Sequence, residues 1–145
     1  MSASRLEIQR LQRELRGCAV TSAGRSVGNC ILLNFRMPSN AHAKPGLLVE
    51  LAKWEIRWCG TCSARSCSRS RTVDSALAKL VGAKIVEARI SEDGIRLTFN
   101  RPFSLRVSTL TSSELGPGWD RLDQWVVFGV HSKTYQPVNG RIARE

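Results

Sequence analysis

Two stretches of this chain read almost alike. Ile31-Leu32-Leu33-Asn34-Phe35-Arg36-Met37-Pro38 is answered, 64 positions later, by Ile95-Arg96-Leu97-Thr98-Phe99-Asn100-Arg101-Pro102. In both, the first, third and fifth residues are large and apolar, a period that puts all three on one side of a pleated strand. Each ends in Phe-x-x-Pro, and proline, having no amide to donate, stops further pairing. The match extends outward. Leu11, Leu15 and Gly17 fall on Ala76, Leu80 and Gly82 at a shift of 65, Leu47 and Val49 answer Leu105 and Val107, and Trp54 answers Trp125. Each half therefore reads as a helix, a hairpin, and two further strands of which the last carries a tryptophan. The predicted fold is α+β: two tandem helix-plus-antiparallel-sheet repeats sharing a core. Residues 1–58 form the first repeat, 59–72 a Cys/Ser/Arg-rich linker and 73–145 the second, in one compact domain.

Taken in order, Ser4 and Glu7 make a capping box for a helix over 4–16, with Ile8, Leu11 and Leu15 on one face and Gly17 as its stop. Strands are predicted at 18–23, at Ile31–Phe35, around Leu47–Leu51 and at Trp54–Trp58, with Pro- and Asn-rich loop between 37 and 46. The run Cys59 to Arg71 is small, polar and basic and reads as exposed linker. A second helix is expected from about Asp74 to Leu80, followed by strands at 83–91, 94–100, 103–109 and 124–130. Glu92-Asp93-Gly94 supplies a hairpin turn. Residues 110–123 read as a long loop, 133–138 as a last short strand, and the tail beyond Gly140 as fraying. Trp54 and Trp125 are expected in the core.

The chain holds 145 residues with 22 basic and 12 acidic side chains, a net charge of +10. Divided at residue 72, the first part carries 12 basic and 4 acidic groups and the second 10 and 8. An acidic partner is accordingly expected on the first half, whether an acidic protein surface or nucleic acid. Arg5, Glu7, Arg10 and Arg13 interrupt the start before any apolar run forms, so no signal peptide and no membrane partner are expected, and the location is predicted to be cytoplasmic. Five cysteines, an odd number, argue against a disulfide framework.

The order Leu-x-Gly, hairpin, Leu-x-Phe, then a strand led by Trp resembles small uncharacterised bacterial proteins of the domain-of-unknown-function kind, several of them immunity-like. The resemblance covers most of residues 11–138 and implies a non-enzymatic protein-binding module, with no catalytic residues to transfer.

The residues themselves offer few sites for chemistry. Cys59, Cys62 and Cys67 have a Cys-x2-Cys-x4-Cys spacing that could grip zinc, but the usual second pair is absent, so no metal and no cofactor are expected. His42 and His131 lack a nucleophile or carboxylate at a recognisable spacing, so no catalytic residues are assigned and no enzyme is expected. Arg65, Arg69 and Arg71, interleaved with serines, are the candidate nucleic-acid contacts of the alternative reading. Trp119, in a Gly-Pro-rich loop, is the candidate anchor for a protein partner.

Overall fold

The structure, a computed structural model, describes residues 1–115, 124–138 and 140–145. The chain folds as α+β. Helix α1 (Arg5–Leu15) leads to strands β1 (Ala19–Arg25), β2 (Ile31–Arg36), β3 (Gly46–Val49), β4 (Lys53–Trp58) and β5 (Thr61–Arg65). Helix α2 (Ser70–Leu80) is followed by β6 (Ile85–Ser91), β7 (Gly94–Phe99), β8 (Phe103–Ser108), the short helix α3 (Ser112–Leu115), β9 (Trp125–Val130), β10 (Lys133–Val138) and β11 (Arg141–Arg144). The strands pair antiparallel in two sheets. One runs β1-β2-β3-β9-β10-β11, the other β5-β4-β8-β7-β6.

Local chemistry sets these elements. The capping box forms: the Glu7 amide donates to Ser4 Oγ at 3.2 Å, and the Ser4 amide to Glu7 Oε1 at 3.4 Å. Helix α1 ends at Gly17, whose φ of +87° suits a residue without a side chain, and α2 ends the same way at Gly82, φ +88°. Ile31, Leu33 and Phe35 on β2, and Ile95, Leu97 and Phe99 on β7, are all buried, as their alternation predicts. Trp54 and Trp125 join the same core, which both helices close with Leu11, Leu15, Val73, Leu77 and Leu80. The ring nitrogen of Trp54 donates to the Asn29 carbonyl at 2.8 Å, and that of Trp125 to Thr109 Oγ1 at 2.9 Å, so neither polar tip is stranded.

The halves do not close two separate sheets. Each sheet takes three consecutive strands from one half, β1–β3 in one and β6–β8 in the other, and the rest from the other half: β9 pairs with β3, and β4 with β8. The helices cross over too, α1 packing on β6 and α2 on β1. Where the sheets meet, the hydrogen bonds are exchanged pairwise. The Gly17 amide donates to the Ile85 carbonyl at 2.7 Å and the Gly82 amide to the Val20 carbonyl at 2.8 Å. Likewise Val20 donates to Ala83 at 2.9 Å and Ile85 to Cys18 at 2.9 Å. Both first strands carry an irregularity at matching places, between Val20 and Ser22 and between Ile85 and Glu87. The strands of the two halves are thus interleaved: both sheets draw on both halves, and one core lies between them.

Three local expectations are corrected. The 59–72 segment is no linker: Thr61–Arg65 forms an edge strand on β4, and α2 begins at Ser70, before the expected Asp74. Its strand escapes the apolar pattern because Ala64 is its only buried residue. The tail does not fray at Gly140; β11 pairs along β10, and the Arg144 amide donates to the Met1 carbonyl at 2.8 Å. Within the expected 110–123 loop, Ser112–Leu115 is helical.

Candidate binding face

The register of the five-stranded sheet brings together residues that are far apart in sequence. Arg89 on β6 stands opposite Arg96 on β7, and Arg96 opposite Arg106 on β8. Arg106 then stands opposite Glu55 on β4, and Glu55 opposite Arg65 on β5. Directly opposed residues share a face. Their sequence neighbours Ala88, Ile90, Ile95, Leu97, Leu105, Val107, Trp54, Ile56 and Ala64 are all buried, so this row lies on the outer face, toward solvent. All four arginines are exposed. The next row reads Glu87, Thr98, Ser104, Arg57 and Cys62. On the other side Ser91, Gly94, Ser108 and Lys53 are in register.

The charges on this face are partly matched. Arg89 Nε lies 2.6 Å from Glu87 Oε1, and Arg57 Nε lies 3.3 Å from Glu55 Oε1. Lys53 Nζ lies 3.5 Å from Glu114 Oε2. Among the described residues, Arg65, Arg96 and Arg106 make no ion pair. Like charges directly opposed across strands destabilise a sheet, so the Arg89–Arg96–Arg106 run is an arrangement that folding alone does not favour. A shallow groove at the end of these strands is lined by Arg89, Arg96 and Arg106 together with the carboxylate-bearing Asp93, Ser108 and Gln12 of α1. The Gln12 side chain accepts from the Ile90 amide at 2.8 Å and so occupies part of the free edge of β6.

The residues singled out in the sequence are distributed differently. Arg65 belongs to the row. Arg69 is the N-cap residue of α2 and Arg71 lies in its first turn; both are exposed, but neither belongs to the strand row. Trp119 lies outside the described residues. Cys59 occupies the tip of the β4–β5 hairpin with φ +49°, Cys62 pairs opposite Arg57 on β5, and Cys67 is exposed before α2. Among the described residues no group of three or more His, Cys, Asp and Glu side chains is placed to hold a metal ion. His131 Nε2 lies 2.9 Å from Glu14 Oε1, and the buried Cys18 thiol lies on the same turn, its Sγ donating to the Glu14 backbone carbonyl at 3.4 Å.

Sequence reading missed Arg89, Arg96 and Arg106 because the first half carries the larger charge excess. A usable signal was present, however: a two-residue turn at Glu92-Asp93 sets Ser91 against Gly94, and counting back from there sets Arg89 against Arg96. Trp58 was also passed over. It is 45% exposed at the sheet margin, its ring 4.3 Å from that of Phe103.

No helix among the described residues is long and apolar enough to cross a membrane. Comparison with family models, with curated proteins and with solved structures finds no match for this chain. The resemblance drawn from the sequence therefore rests on its short motifs alone.

Proposed function

We propose that this protein is a non-enzymatic protein-binding module, of the immunity-like or inhibitory kind, that docks an acidic surface of another protein. The contact face is the outer side of the five-stranded sheet. The observation that carries this reading is the cross-strand row Arg89–Arg96–Arg106–Glu55–Arg65. It concentrates exposed guanidinium groups, the side chains best suited to bidentate contact with carboxylates.

Nucleic acid would need the same positive charge, but two features count against it. Glu55 and Glu87 sit among the arginines on this face, and both would repel a phosphate backbone. No outward residue of these rows is aromatic, so nothing there stacks on a base. A protein surface, which carries both signs, suits a face that also carries both.

Capture from native lysate, with and without nuclease treatment, tests the reading. A protein partner should be retained in both conditions and lost when Arg96→Glu and Arg106→Glu are combined. Loss of all capture on nuclease treatment, or capture unaffected by the double substitution, would overturn it.

A further inference from the structure

The row has a geometry as well as a charge, and that geometry selects among the shapes an acidic partner can present. Resting on the protein-binding reading above, we propose that the partner element is a single acidic α-helix. It lies across the strands, along the row Arg89–Arg96–Arg106–Glu55–Arg65.

Neighbouring strands are about 4.8 Å apart, so five registered positions span about 19 Å. An α-helix presents one face every 5.4 Å or so of its length, and four turns cover about 22 Å. Along the row the two repeats drift apart by only about 2–3 Å; the twist of about 20–25° per strand also turns the outward side chains, so the central positions, Arg96 and Arg106, meet the helix most directly. An extended strand fits worse. Its alternate side chains recur about every 6.8 Å, so four steps cover about 27 Å and the last contact misses by about 8 Å.

The signs sharpen the match. Across the sheet the row reads positive, positive, positive, negative, positive. Arg89 and Glu55 are held by Glu87 and Arg57 in solvent-exposed pairs, which are weak and can exchange for a partner's charges. Its complement on a helix is acidic at i, i+4 and i+7, basic at i+11 to meet Glu55, and acidic again at i+14. Thr98 and Ser104, in the adjoining row, offer hydroxyls to the same carboxylates.

The test uses the full chain and a synthetic alanine-based helix carrying Glu, Glu, Glu, Lys, Glu at that spacing. Its control is a helix of the same composition with the charges scattered around its circumference. The patterned helix should bind about tenfold or more tighter than the control. That preference should vanish in the Arg96→Glu/Arg106→Glu variant, with a melting curve recorded alongside to check that it folds. As a gain-of-function check, Glu55→Lys should shift the preference toward a helix with Glu in place of its Lys. Equal binding of both helices, each weakened by the double substitution, would overturn the helix proposal and leave the acidic-protein face standing. Binding insensitive to Arg96 and Arg106 would overturn both.

Discussion

On the outer face of the six-stranded sheet, Gly24, Leu32, Leu48 and Val126 stand in one cross-strand row. At the corresponding places of the five-stranded sheet stand Arg89, Arg96, Arg106 and Glu55. In the row beside them, Asn34, Gly46 and Phe128 correspond to Thr98, Ser104 and Arg57, and the contrast recurs at the last place, where a ring stands in one sheet and a guanidinium in the other. The inner faces show no such divergence. Val49 opposes Trp125 in one sheet as Val107 opposes Trp54 in the other, and Phe35 and Phe99 occupy matching buried places. Close packing holds the inside to one kind of residue, since cavities and overpacking both cost stability. The outside is free of that constraint, so a difference between the two outer faces is where a specific function can be written.

The largest expected effects test the sameness of the interiors. Phe35→Ala and Phe99→Ala should each destabilise by about 3–5 kcal/mol, measured by chemical denaturation. A cost below about 1 kcal/mol for either one would break the equivalence of the inner faces.

Next come the outer faces. In the six-stranded sheet, the Phe128 ring lies directly over Gly46, where an added Cβ would collide with the ring and with the Leu33 carbonyl. Gly46→Ala should therefore cost about 1–3 kcal/mol. At the matching place in the other sheet, Ser104→Ala should stay within about 0.5 kcal/mol. Equal costs would show that the two faces are more alike than their residues suggest.

A smaller effect has the opposite sign. Removing one arginine from the opposed run, by Arg96→Thr, should stabilise the fold by a few tenths to about 1 kcal/mol, since like charges no longer face each other across strands. The gain should shrink as salt is added. Destabilisation at low salt would mean the arginine packs in a way the charge argument omits.

The smallest effects concern the thiols. Cys18 is buried, and burial, with the Glu14 carboxylate beside it, pushes its pKa up to about 11. Cys59 and Cys67 are exposed. At mildly alkaline pH these two should react with a thiol reagent well before Cys18, because the thiolate is the reactive form. Replacing Cys59 and Cys62 with Ser should leave the melting temperature nearly unchanged, and metal analysis should find no stoichiometric zinc. Unfolding on chelation would reassign the β4–β5 hairpin as a metal site.

Much of the fold was legible because burial writes itself into alternation. Ile31-x-Leu33-x-Phe35 and Ile95-x-Leu97-x-Phe99 could only sit with one face inward, and the Ser4/Glu7 pair marked the first helix. What escaped was whatever backbone pairing supports without apolar side chains. Thr61–Arg65 is a strand because β4 offers its edge, while Ala64 alone points into the core. The crossing of strands between sheets was equally hidden: alternation says that a residue is buried, not which strand lies beside it. The binding face was the least legible part. Its arginines come from four strands, and local charge counting drew attention instead to residues 1–72, which contribute only Arg65 and Glu55 to the row. Only the register of the sheet assembles them.

The most direct test of the account reads both outer faces at once. In the full chain bound to a captured acidic partner, NMR can follow the Nε–Hε signals of Arg89, Arg96 and Arg106 together with the methyl signals of Leu32, Leu48 and Val126. The arginine signals should move on binding while the methyl signals stay in place. Methyl signals that move while the arginine signals hold still would put the partner on the six-stranded sheet and contradict the assignment of function to the arginine row.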